Sequence, residues 1–141
     1  MATMIKAETA FRQVAEQAER IKNDEAHIVA TMSPGDMWAQ GDIGIVALSA
    51  KPTGCTVIEN PTAQLAPGTT QGSRHCIAAS DMPNVKLYRT KAPTPLDGPV
   101  IEAPEGFTVE HPEHGDVTLP PGVYGVIYQR QYAQELKRVQ D

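Results

Sequence analysis

From Pro34 to Gly125, glycine or proline recurs every several residues, and the 11 glycines and 12 prolines of the chain cut it into short pieces. Proline removes a backbone donor and fixes φ, and glycine carries the chain through turns, so this punctuation excludes long helices and favours short strands joined by turns. The pieces between the breaks are short and often alternate apolar with polar residues. They fall at 42–50, 55–59, 63–66, 74–79, 85–90, 100–103, 107–110, 116–119 and 123–132. Eight or nine short strands at this spacing indicate a sandwich, jelly roll or small barrel rather than alternating β and α units. In the last piece Tyr124, Val126 and Tyr128 share one face and Val123, Gly125 and Ile127 the other. Pro121-Gly122 suits the central positions of a type II turn, which would fold 116–119 back onto the strand that begins at Val123.

The chain before Pro34 has a different character. Met4, Ala7, Phe11, Val14, Ala18, Ile21 and Ile28 recur at intervals of three and four, a narrow apolar seam broken only at Glu25. Thr3 can cap the start, and Glu8 with Arg12 and Glu16 with Arg20 form i,i+4 pairs on the exposed side. Asn23-Asp24 is a point of interruption, and Ser33-Pro34-Gly35 ends the helix. The expected organisation is an N-terminal helical arm over 1–33 and a β-sandwich or barrel domain of jelly-roll type over 34–141, with a short terminal helix near 131–139. The seam serves either to dock the helix on its own domain or to pair it with a second copy. With the acidic composition, it favours a homo-oligomer.

A chain of 141 residues can bury a real core as one domain with an appendage. Its formal net charge of -5, with no Lys or Arg run interleaved with aromatics, argues against nucleic acid as a partner. Cys55 and Cys76 show no CxxC spacing and read as reduced thiols. No apolar run approaches the roughly 20 residues of a membrane helix and the N-terminus lacks the apolar core of a signal peptide, so the expected setting is cytoplasmic, with no membrane partner.

Candidate chemistry gathers at His75, His111 and His114, each at a strand end or turn. Strand ends from different hairpins converge on one rim of an antiparallel sheet, which would bring the three imidazoles together. Neutral imidazole is a preferred ligand for zinc, iron or nickel, and Glu113 could serve as a fourth ligand or as a general base toward bound water. The loop 66–75 holds glycines, small hydroxyls and Arg74, a combination that can cradle an anion, although the P-loop Gly-Lys-Ser/Thr is absent. Ser73 and His75 share a strand face without the directed geometry of a nucleophile and its base. Arg130 and Tyr132 share a face at the end of the last strand, where they could hold a carboxylate or phosphate and stack on a planar ligand. Trp38, the only tryptophan, is expected to plug the junction between helix and β body.

Several of these stretches carry a likeness. Gln40-Gly41-Asp42, Gly72-Ser73-Arg74-His75, His111-Pro112-Glu113-His114-Gly115, Leu119-Pro120-Pro121-Gly122-Val123-Tyr124 and Gln129-Arg130-Gln131-Tyr132 together resemble a group of small bacterial proteins of unknown function. The likeness spans roughly 40–132 and leaves out the N-terminal helix. In that group the position of Ser73 often holds a second histidine, and the position of Gln131 usually holds glutamate. Both departures remove a potential ligand, which is compatible with a copy retained for its fold or its assembly. The resemblance implies no activity.

Two functions fit these residues. The first is a non-catalytic binding or assembly module, in which a polar rim with Arg74, Arg130 and Tyr132 meets a small molecule or a protein partner while the helix mediates self-association. The second is a cupin-like protein in which His75, His111 and His114 hold a divalent metal with Glu113. The first is preferred, because the histidines lie beside Pro and Gly at turns and aromatic content is only 5%.

Overall fold

A computed structural model describes residues 27–68 and 73–128, and these build two β-sheets. The strands are β1 (His27–Ile28), β2 (Met37–Gln40), β3 (Ile43–Leu48), β4 (Thr56–Val57), β5 (Cys76–Ile77), β6 (Lys86–Arg89), β7 (Asp97–Ala103), β8 (Phe107–Glu110), β9 (Val117–Leu119) and β10 (Gly122–Tyr128). One sheet has the order β1-β9-β8-β5 and the other β2-β3-β10-β7-β6-β4. Every pairing is antiparallel except the short parallel contact of β1 with β9. The architecture is a mainly β, sandwich-like body, as the punctuation of the chain predicts.

Period-two alternation explains the core. Tyr124, Val126 and Tyr128 on β10 are buried, while Val123, Gly125 and Ile127 between them are only half-buried. β10 lies between β3 and β7, so its inward residues sit beside Ile43, Ile45 and Ile101, which are fully buried. The smaller sheet contributes Ile77, Phe107, Val109, Val117 and Leu119 to the same core. Phe107 and Tyr124, one from each sheet, meet edge to face with ring centroids 5.4 Å apart.

Several local expectations are corrected. His27 and Ile28 are strand rather than the end of a helix: the N–H of His27 donates to Asp116 O and that of Val29 to Thr118 O. Ser33-Pro34-Gly35-Asp36, expected to end that helix, is instead a turn leading into β2, with Gly35 at φ +94° and the Ser33 N–H donating to Asp36 Oδ2. The piece at 63–66 is reduced to a single bridge between Gln64 and Cys76. Residues 37–40 form a strand that the punctuation did not suggest, and Trp38 on it packs against the core with its ring 4.9 Å from that of His27.

The last correction changes topology. β9 does not fold back onto β10: it pairs with β8 and β1, whereas β10 pairs with β3 and β7 in the other sheet. A type II turn at Pro121-Gly122 needs a positive φ at the glycine, and Gly122 is absent from the residues that have one. Consecutive prolines instead hold the chain extended, and it crosses between sheets at Pro120-Pro121. Residues 1–26 of the arm expected over 1–33, and the terminal helix expected near 131–139, fall outside the described residues, which contain no α-helix.

Candidate histidine cluster at the rim of the sandwich

The two-residue loop between β2 and β3 starts the site. Gln40 pairs with Ile43 across it, and its first position, Gly41, adopts φ +57°, a conformation in which glycine is favoured. A Cβ at Gly41 would lie 2.9 Å from the His114 ring and 3.1 Å from His75 Cε1, so only glycine allows the backbone to approach both rings this closely.

The imidazoles come from the other sheet. His75 immediately precedes β5, His111 immediately follows β8, and His114 lies in the turn leading to β9. The ring centroids of His75 and His111 are 4.3 Å apart, those of His111 and His114 4.5 Å, and those of His75 and His114 6.5 Å. The expected convergence is present. His75 is fully buried and His111 nearly so, while His114 is half-buried.

Hydrogen bonding fixes two of the rings. Gln40 Nε2 donates to Gly115 O at 2.8 Å, which leaves Gln40 Oε1 as the acceptor facing His75 Nδ1 at 3.0 Å. His75 Nδ1 therefore carries a proton, and in the neutral ring the lone pair sits on Nε2. His111 is opposite in sense. Its Nδ1 accepts the backbone N–H groups of Glu113 and His114 at 3.0 and 3.1 Å, so the neutral ring is protonated at Nε2. The side chain thereby closes the turn at 112–114, as an Asn or Asp side chain does in an Asx turn. His114 Nδ1 is buried and meets no hydrogen-bond partner among the described residues.

The remaining candidates stand apart from this centre. Glu113 is exposed and contributes its backbone N–H, and Arg74 is exposed beside buried Ser73. Arg130 and Tyr132 lie outside the described residues. Among the described residues no group of three or more His, Cys, Asp or Glu is disposed to hold a metal ion. Gln40 is the member that sequence reasoning missed. Its signal was a glutamine at a strand end, directly before a glycine turn.

Cys55 and Cys76 are free thiols. Burial pushes the Cys76 thiol up from its ordinary value, Arg74 opposes this, and Glu110, its partner across the strands, adds to it. A thiol held in this way has little thiolate character and is a poor nucleophile. None of the described helices is long and apolar enough to cross a membrane.

Fold and site define a two-sheet β protein with an imidazole cluster at the edge where its sheets meet. Residues 39–129, well over half of the chain, match the family described as "Domain of unknown function (DUF8820)", and the chain belongs to that family. No curated protein and no solved structure matches it.

Proposed function

We propose that the protein is a non-catalytic binding and assembly module, in which the rim around His75, His111 and His114 is a polar recognition surface and the chain self-associates. The observation that carries this reading is the double hydrogen bond from backbone N–H groups to His111 Nδ1. A histidine that ligates a metal through one nitrogen ordinarily donates the proton of the other to an oxygen. His111 accepts there instead, so binding a metal at Nε2 would require either loss of the turn or an imidazolate. Its ring serves the backbone, which suits a recognition rim better than a three-histidine metal centre. The half-buried His114 gives this rim a polar side chain for a ligand or partner to meet. Self-association is supported by Ile28, 79% exposed on edge strand β1 at the end of the N-terminal apolar seam.

A cupin-like metal protein is the second reading. It draws on the convergence of the rings and on His75, whose Nδ1 is held by Gln40 in the manner of a ligand oriented by an outer partner. Elemental analysis of protein purified without an affinity tag separates the two. The binding module contains no stoichiometric zinc, iron or nickel; one equivalent of any of them, lost in His111→Ala, would establish the metal reading instead. Light scattering of the full chain should give a mass above the 15.2 kDa of one copy.

A further inference from the structure

Beside Tyr128 at the end of β10 lies a cavity of about 510 Å3, within the size range of small-molecule sites. Its origin lies in the pairing of β6 with β7. The ladder runs from Lys86 opposite Glu102 to Tyr88 opposite Val100 and stops there. Pro99 follows on β7 and has no N–H to offer, so the strands part beyond it. Leu65, Leu87 and Tyr128 supply apolar floor, and Pro93 and Pro99 supply rigid walls.

Two charges of opposite sign line this opening. Arg89, exposed at the end of β6, and Asp97, at the start of β7, are both among the residues that line it. No ion pair joins Arg89 to Asp97, and Arg89 has no carboxylate partner among the described residues. Asp97 Oδ2 accepts the N–H and the hydroxyl of Thr94, at 2.8 and 3.0 Å, which holds the carboxylate in place. Thr90 also lines the cavity, and its buried Oγ1 has no hydrogen-bond partner among the described residues. An unsatisfied buried hydroxyl is a cost to the folded chain that an apolar isostere would not carry.

From these observations we infer that the cavity is a binding site for a small zwitterion with an apolar body, of the class of an apolar dipeptide. The carboxylate pairs with Arg89 in the bidentate geometry a guanidinium favours, the ammonium pairs with Asp97, and a peptide carbonyl accepts from the Thr90 hydroxyl. The apolar side chains lie on Leu65, Leu87 and the prolines. The cavity adjoins the histidine cluster through Leu65, whose N–H donates to His75 O, but Arg89, Thr90 and Asp97 stand outside that cluster, so their substitution tests this site and leaves the reading of the cluster untouched.

Calorimetric titration with the dipeptide leucyl-phenylalanine, its N-acetyl form and its C-terminal amide tests this on the full-length protein. The free dipeptide should bind, and each capped form should bind at least tenfold more weakly because one charge has been removed. Arg89→Gln, an exposed change that breaks no side-chain bond among the described residues, should weaken the free dipeptide at least tenfold and leave the melting temperature unchanged. Thr90→Val should weaken binding and raise the melting temperature of the unliganded protein, a combination that a purely structural threonine does not give. No binding up to about 1 mM, the weak end of measurable affinity, would overturn the proposal. Equal binding of the capped forms, or full affinity in Arg89→Gln, would overturn it as well.

Discussion

Gln40 Oε1 lies 3.0 Å from His75 Nδ1, joining the end of β2 in one sheet to the residue just before β5 of the other. The amide's other end donates to Gly115 O in the turn that carries His114, so one side chain ties the β2–β3 loop to both halves of the histidine cluster. Removing it in Gln40→Leu leaves the buried His75 N–H and the Gly115 carbonyl without their partner. Each buried polar group so orphaned costs about 1–3 kcal/mol, and urea unfolding should show a loss of that order or somewhat more. Gln40→Glu keeps the acceptor for His75 but loses the donor to Gly115, and it should fall between the wild type and the leucine variant.

His111 provides a sharper contrast. Its Nδ1 occupies the place that the Oδ1 of asparagine would take relative to the backbone, so His111→Asn should still accept from the N–H groups of Glu113 and His114. His111→Ala cannot. The alanine variant should be less stable than the asparagine variant by about 1–2 kcal/mol, the scale of one or two net hydrogen bonds. If alanine and asparagine unfold at the same denaturant concentration, the ring does not support this turn.

Much of the architecture was readable from the order of residues because it depends on local chemistry. The alternation at 42–50, 85–90, 107–110 and 123–128 survives as β3, β6, β8 and β10, since a period of two places one set of residues in the core whichever strands are neighbours. The partner of a strand is not local information. Pro121-Gly122 is compatible with a tight turn or with an extended crossing, and the choice was made by competition for the edges of β3 and β7, which the sequence does not display. Residues His27 and Ile28 continue an apolar helical spacing yet become strand, because β9 offers them a ladder. The histidines converge because all three stand next to strands of one sheet. Gln40 was invisible as a site residue because its two partners lie 35 and 75 positions away in the chain.

Gly41 is a position where side-chain volume and backbone conformation act together. Alanine at φ +57° costs about 1–2 kcal/mol from the left-handed conformation alone, and its Cβ would meet the His114 ring at 2.9 Å. Gly41→Ala should therefore destabilise the protein and shift the imidazole resonances of both His75 and His114. Gly125→Ala is the control. Its φ is not positive and the nearest atom to its Cβ is Leu48 Cδ1 at 3.6 Å, so replacing glycine inside a strand there should be neutral or stabilising by about 0.5–1 kcal/mol.

Phe107 and Tyr124 join the two sheets through their rings, and truncation of either should be costly. Phe107→Ala removes a fully buried ring from the contact and should lose about 3–5 kcal/mol. Chemical denaturation is the measurement, and a loss below about 1 kcal/mol would mean that the sheets are held together elsewhere.

Tyr124 adds a dependence on pH whose sign follows from its surroundings. Its hydroxyl donates to Pro120 O, at the crossing between the sheets, and burial pushes the phenol from its ordinary value of 10.0 up to about 12. The folded protein thus holds this proton more tightly than the unfolded chain does. Below pH 10 both states are protonated and the contribution to stability is fully present. Between pH 10 and 12 the unfolded chain releases its proton first, so folding stability declines with rising pH across that window. Tyr124→Phe removes the titrating group together with the bond to Pro120. Unfolding curves for the two proteins at pH 9, 10, 11 and 12 (set by the window between the two values above) should show the wild type losing stability more steeply than the phenylalanine variant. Parallel decline in both would mean that another group, such as the Lys51 ammonium beside Tyr88, governs the alkaline limb.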